Sequence, residues 1–328
     1  MTLKNISDLV ICSDLHIYDW PDNNKELRRT KALLNWFESL VVDAHDKGKK
    51  VIMCGDLLHD PSHMSNRLFE LIQEYFNRIN RKVSPSTVLA ITGNHDRNGD
   101  DWKNSPSWVR TFSRQYDFLH CIDFQVHPLD KYVICGIPYI KGNVGIKNAS
   151  DRLLNIANNQ HVGKVKILVI HTDLPGALDT NGMEIKSHEN ISPKVSQFFA
   201  GWDWIFSGHI HKPMLIRDNI VMVGSPMHTR IIDRGCMMGS WSTDNKGKMG
   251  LVSSGLPEYR YEGEKGSESD IYIKKVVHKV SSKLEPAKKK EINLSNWDNL
   301  IDEYIKRKGY KGKKKVDTAK GIINSINR

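Results

Sequence analysis

Short apolar runs that end in clusters of Asp, Asn, Gly and His constrain this chain more than any other feature. The runs are Leu9–Cys12, Val51–Cys54, Val88–Thr92, Val133–Ile137, Ile167–Ile170, Trp204–Phe206 and Ile220–Val223. Their length and β-branched content read as buried strands. Two amphipathic segments lie between the early runs. Leu27, Leu34, Phe37, Val41 and Ala44 share one helical face, and Met64, Leu68, Leu71, Tyr75 and Ile79 share another. Strands alternating with helices in the first half predict a layered α/β domain. The second half is richer in strands, and its Asn, Gly and Asp clusters read as turns.

Polar motifs follow five of the runs. In order they are Asp14-Leu15-His16, Gly55-Asp56-Leu57-Leu58-His59, Gly93-Asn94-His95-Asp96, His171 and Gly208-His209-Ile210-His211. Each stands just past the C-terminal end of an expected strand, where open α/β sheets collect their sites. In an extended chain residues i and i+2 face the same side. Asp14 and His16 can then address one site while Leu15 turns to the core, and His209 and His211 can do the same about Ile210. The glycines at 55, 93 and 208 are expected to permit sharp turns. Imidazole, carboxylate and amide oxygen together suit Mn²⁺, Fe or Zn²⁺. Asp14, His16, Asp56, Asn94, His171, His209 and His211 serve two metals if one carboxylate bridges, and Asp56 is the choice for that bridge. Metals so held lie ~3.5–4 Å apart and clamp both oxygens of an in-line displacement at phosphorus. A lone Asp-x-His is ordinarily a surface turn; five such motifs in this order are not.

The succession resembles the pattern of the calcineurin-like metallophosphoesterase superfamily: D-x-H, G-D, G-N-H-D/E, H and G-H-x-H. Within it the chain is most similar to the SbcD/Mre-eleven-like DNA repair nuclease subunits, in particular the compact phage recombination-endonuclease type. Gly55-Asp56-Leu57-Leu58-His59, Gly136-Ile137-Pro138-Tyr139, Ser207 to Pro213 and Gly224-Ser225-Pro226 carry that similarity, which covers about residues 7 to 255. The resemblance implies an α/β fold, a four-layer-like sandwich of two mixed β-sheets flanked by helices. It implies that Asp14, His16, Asp56 and His211 hold one metal and that Asp56, Asn94, His171 and His209 hold the other. Mn²⁺ is the first choice, with Fe, Zn²⁺ or Mg²⁺ as alternatives. It further implies that His95 touches the scissile phosphate and helps the leaving oxygen depart, that His59 positions the phosphate, and that Asp96 orients His95. The implied activity is a DNA exo/endonuclease of repair and recombination. It would work with an SbcC/Rad-fifty-type ATPase subunit, and a homodimer is common in such proteins. Two features depart from the pattern: Thr172-Asp173 follows His171, and the C-terminal region is short.

Phosphoprotein phosphatases carry Arg-Gly after a G-D-x-x-D motif and G-N-H-E, whereas this chain has Leu57-Leu58-His59-Asp60 and Gly-Asn-His-Asp. A small-nucleotide phosphodiesterase or phosphatase would not need the basic tail described below. A non-catalytic DNA-end-binding scaffold does not need a complete ligand set.

The chain has 328 residues and a formal net charge of +10. Ser267 to Arg328 contribute 16 Lys+Arg against 8 Asp+Glu, while the 266 residues before them carry 32 against 30. A nearly neutral nuclease domain, residues 1–255, is therefore expected to precede a small basic C-terminal region, residues 256–328. That region is expected to meet an anionic partner or dock the ATPase. Residues 263–269 read as a linker and Ile271–Val280 as a strand. Ser295 can cap an expected helix carrying Trp297, Leu300, Ile301, Tyr304 and Ile305 on one face, and residues 318–326 read as another short helix. Lys288–Lys290 and Lys311–Lys315 supply basic runs. The five cysteines form no C-x-x-C pair, which predicts buried reduced thiols. No stretch approaches the ~18 apolar residues of a membrane span, and Met1 to Asp8 lack a signal-peptide pattern. A cytoplasmic protein that stays with the DNA is expected.

Overall fold

The structure is a computed structural model. It describes residues 6–19, 27–99, 101, 105–174, 176–178, 199–228, 237–243, 248–256, 259–261 and 271–273. The 263–269 linker, the expected helices and basic runs beyond residue 273, and Cys236 lie outside the described residues. The expected strand at Ile271 is present as far as Ile273.

The first half runs β1 (Leu9–Cys12), α1 (Arg28–Asp46), β2 (Lys50–Met53), α2 (Asn66–Lys82), β3 (Val88–Ala90), a single 3₁₀ turn (Asn94–Asp96), α3 (Trp108–Gln115) and β4 (Leu119–Cys121). Then come β5 (Val126–Pro128), β6 (Tyr132–Ile137), α4 (Asn143–Gln160), β7 (Val165–His171), β8 (Trp204–Gly208), β9 (Met214–Arg217) and β10 (Ile220–Met222). The described chain closes with β11 (Gly239–Thr243), β12 (Met249–Ser253), β13 (Tyr259–Tyr261) and β14 (Ile271–Ile273). Two six-stranded sheets result, ordered β12-β11-β1-β2-β3-β4 and β5-β6-β7-β8-β10-β9, with β13 and β14 as a separate pair. Both large sheets are mixed. Strands β1 to β4 are mutually parallel and β11 runs against β1. Strands β6, β7, β8 and β10 are likewise parallel, with β5 and β9 antiparallel at the edges.

Period-two alternation builds the layers. Along β1, Leu9 and Ile11 pack between the two sheets, against Ile134, Val169 and Phe206 of the other sheet. Val10 and Cys12 turn the other way, towards Phe37 and Val41 of α1, Phe76 of α2 and Phe112 of α3. The opposite sheet does the same: Leu168 and Ile170 pack under Leu153 and Ala157 of α4. The order is helices, sheet, sheet, helix, the four-layer sandwich expected. Ser65 starts α2 by accepting from the Leu68 N–H at 3.0 Å, and Arg81 and Lys82 occupy its last turn, where they complement the helix dipole.

The parallel strands leave their C-terminal ends along one edge of the sandwich. Pairing of β1 with β2 continues irregularly past both strand ends. The N–H groups of Asp14, His16 and Ile17 donate to the carbonyls of Gly55, Asp56 and Leu57 at 2.9 to 3.0 Å. The first two motifs are thereby locked side by side. The four described cysteines, Cys12, Cys54, Cys121 and Cys135, are free and buried, as expected.

Candidate metal centre

The donors stand on a strained backbone. Asp14, His16, Asp56 and His209 have φ of 52°, 49°, 54° and 85°, in the left-handed region that costs a residue with a Cβ about 1–2 kcal/mol. The extended chain expected for Asp14-Leu15-His16 is therefore not observed. Leu15 is nevertheless fully buried in the core beneath α1, so the two polar side chains still share a side. The glycines also differ from expectation. Gly55 has φ +96°, as a sharp turn requires, whereas Gly93 has φ −88° and ψ −177°. Gly93 and Gly208 are needed for space. A Cβ on Gly93 would lie 2.1 Å from Asp56 Oδ1, and one on Gly208 2.4 Å from the Cys54 carbonyl.

Among the described residues three donor groups form; one joins His16 to His59 and His95, and the other two meet at Asp56. Of these two, Asp14, His16 and His211 form one, and Asp56, His171 and His209 form the other, with ligand atoms within 4.8 Å of one another in each. Asp56 Oδ2 lies 3.6 Å from His16 Nε2 and 3.2 Å from His171 Nε2, between the sets. Its other oxygen accepts from the His95 backbone N–H at 2.8 Å. Asn94 Oδ1 completes the second set, 3.1 Å from His171 Nε2 and 2.9 Å from His209 Nδ1. Seven sequence-predicted donors are thus brought together around Asp56.

Hydrogen bonds on the far side of each ring decide whether metals fit. His171 Nδ1 donates to the Cys54 carbonyl at 2.6 Å, and His209 Nε2 lies 3.2 Å from Asp173 Oδ1, where it donates. His209 Nδ1 is therefore left with a lone pair facing the Asn94 carbonyl oxygen at 2.9 Å, while His171 Nε2 faces both that oxygen and Asp56 Oδ2. In the first set His16 Nε2 and His211 Nε2 face each other at 3.0 Å. Imidazole and carboxylate donors converge within 4.8 Å in each set, with the Asn94 amide oxygen beside the second, and this donor chemistry fits two divalent metals.

Electrostatics agree. Burial holds the His16 imidazole well below its ordinary value. Burial and the neighbouring His171 push His209 down to about 3. Both rings are neutral at pH 7, as ligands must be. Burial pushes the Asp56 carboxyl up, but His171 foremost, with His16 and His95, outweighs it and holds Asp56 well below the usual carboxylate range. For His171, burial works against the charged form, yet Asp56 and then Asp14 push it up to about 10. Without metal, a proton occupies the place between Asp56 and His171.

His59 and His95 stand beside the first set, their rings stacked with centroids 5.3 Å apart. His16 Nδ1 lies 3.2 Å from His59 Nδ1; with a metal on Nε2, His16 would carry its proton on Nδ1 and donate to His59. His95 Nδ1 donates to the His59 carbonyl at 2.6 Å. Here the expected role of Asp96 is corrected. Its two carboxyl oxygens accept from the Leu58 and Gly93 N–H groups at 2.9 and 2.8 Å. It shapes the loops around Asp56, and the His59 carbonyl orients the His95 ring instead. The reason is local: the 3₁₀ turn folds the Asp96 side chain back towards Gly93. Sequence reasoning also missed Asp173 as a partner of His209, and two tyrosines at the flanks. Tyr18 packs on His59 with ring centroids 4.9 Å apart, and Tyr139 on His209 at 5.6 Å.

A profile of the family described as calcineurin-like phosphoesterase matches residues 8–213, a span that contains every donor above. The chain belongs to the calcineurin-like phosphoesterase family. It is thereby a metal-dependent phosphoesterase, and the dinuclear site typical of the family corresponds to the two donor sets that meet at Asp56. No curated protein matches the chain. Among solved structures, a Pseudomonas putida protein titled nuclease MPE matches at 17% identity, covering 54% of this chain and 67% of its own, with a TM-score of 0.30. Among the described residues no helix is long and apolar enough to cross a membrane.

Proposed function

We propose that this phosphoesterase is a DNA nuclease, hydrolysing phosphodiester bonds in repair or recombination together with an SbcC/Rad-fifty-type ATPase. The observation that carries the reading is the stacked His59–His95 pair beside the donor sets, with His59 three residues after Asp56, the nuclease-like form of that motif. The excess of 16 Lys+Arg over 8 Asp+Glu after residue 266 suits a polyanionic substrate. Two divalent cations, Mn²⁺ by preference, supply Lewis acidity and an activated water when bound. The chain's own residues do the rest. Asp56, its Oδ1 fixed by the His95 N–H, keeps Oδ2 between the two sets. His95, its Nδ1–H committed to the His59 carbonyl, has Nε2 left to carry a proton to the leaving oxygen. His59, accepting from His16 at Nδ1, keeps its own proton on Nε2 for a phosphate oxygen.

The test is cleavage of labelled single- and double-stranded DNA in Mn²⁺ and in Mg²⁺, beside a chromogenic phosphodiester. The proposal expects DNA cleavage with Mn²⁺. Cleavage of the small ester alone, even with the ATPase present, would assign the protein to small-nucleotide chemistry.

A further inference from the structure

Asp173 immediately follows the turn after β7 and is 2% exposed. No motif of the family pattern includes it, and it is absent from both donor sets. Its Oδ1 lies 3.2 Å from His209 Nε2, while the same ring turns Nδ1 to Asn94 Oδ1 at 2.9 Å. A rotation of the imidazole by half a turn about Cβ–Cγ exchanges Nδ1 with Cδ2 and Nε2 with Cε1. The two orientations have nearly the same shape, so packing against Tyr139 distinguishes them poorly. What distinguishes them is the hydrogen bond to Asp173. The backbone cannot make the choice either: His209 sits at φ 85°, with its N–H held by the Asp14 carboxylate at 3.1 and 3.2 Å. That fixes where the side chain starts and leaves ring orientation open.

We infer that Asp173 is a positioning residue for the second metal: it selects the Nε2–H tautomer and the ring orientation of His209, so that Nδ1 is ready as a ligand. The inference rests on the dinuclear reading above. It also explains why a carboxylate stands directly after Thr172, where the sequence departs from the family pattern. A carboxylate accepts from an imidazole N–H more strongly than a neutral oxygen does, and it raises the donor strength of the opposite nitrogen. Its removal is expected to weaken one metal and spare the other.

The experiment titrates metal-free full-length protein with Mn²⁺, reading free Mn²⁺ by electron paramagnetic resonance, for wild type and Asp173→Asn. The substitution is nearly isosteric, and thermal melting of the metal-free forms checks the fold. Wild type takes up two Mn²⁺. The variant keeps one at wild-type affinity and binds the other about 10- to 100-fold more weakly. Unchanged affinity for both would overturn the proposal. A second readout needs no variant: ¹⁵N shifts of the metal-free His209 ring should show the proton on Nε2, and a proton on Nδ1 would overturn the proposal equally. Fewer than two Mn²⁺ in the wild type would fail the dinuclear reading itself, and the proposal with it.

Discussion

Gly93→Ala tests how tightly the backbone closes on the Asp56 carboxylate. The φ and ψ of Gly93 are −88° and −177°, which alanine adopts freely, so any effect comes from the added methyl group. That carbon would stand 2.1 Å from Asp56 Oδ1 and 2.4 Å from Asp56 N. Ordinary Cβ contacts do not fall below 3.0 Å, so the carboxylate must retreat by about 0.9 Å, and the backbone contact prevents the side chain from simply swinging aside. A displacement of about 1 Å in a reacting constellation costs on the order of 100-fold in rate. Gly93→Ala is therefore expected to lower phosphodiester hydrolysis at least about 100-fold and to weaken Mn²⁺ uptake. Gly48→Ala is the control. Its φ is +66° but nothing lies within 4 Å of an added Cβ, so it should cost about 1 kcal/mol of stability and leave Mn²⁺ binding unchanged. Initial rates on a chromogenic phosphodiester and Mn²⁺ titration measure both. Wild-type rate and affinity in Gly93→Ala would refute the steric reasoning.

Three further outcomes are expected. His95→Ala should retain both metals and lose hydrolysis, read by metal analysis beside initial rates; full activity would remove His95 from the leaving-group role. Because Asp56 pushes the His171 imidazole up to about 10, Mn²⁺ uptake at pH 7 must expel that proton; affinity should fall about tenfold per pH unit of acidification, and proton release in calorimetry in buffers of different ionisation enthalpy checks it. Glu38, 8% exposed, clamps α1 to α2 by accepting from Arg78 at 2.6 Å and Lys82 at 2.8 Å. Arg78 foremost holds its carboxyl below the ordinary value of 4.5. The folded value is depressed, so its stabilisation is present above about pH 4.5 and is lost as pH falls through the folded value. Glu38→Gln should then cost about 1 kcal/mol at pH 7, read by urea unfolding, and the difference should vanish at low pH.

The parts of this fold legible in the sequence share a physical cause. The central parallel strands are buried on both faces, so Leu9–Cys12 or Ile167–Ile170 read as continuous apolar runs. Edge strands β9 and β12 are half solvated and mix polar residues with apolar ones, and neither was expected. Helix α4 was hidden by its own composition: Asn143–Gln160 carries Gly145 and five asparagines, which obscure the pattern of Ile146, Leu153 and Ala157 that it buries. The seven candidate donors were legible because each sits in a short motif at the end of such a run. Asp173 was not, since a single carboxylate after a strand looks like any surface turn until the fold brings β8 and His209 beside it. Asp96 was misread for the converse reason: adjacency to His95 in sequence does not survive the 3₁₀ turn that carries them both.

Two cations sharing the Asp56 carboxylate are the heart of the proposed chemistry. Crystals of the full-length protein grown with Mn²⁺, measured at the manganese absorption edge, test it most directly. Two anomalous peaks are expected about 3.5–4 Å apart, one against Asp14, His16 and His211, the other against Asn94, His171 and His209, with Asp56 touching both. A single peak, or a pair that Asp56 does not bridge, would contradict it.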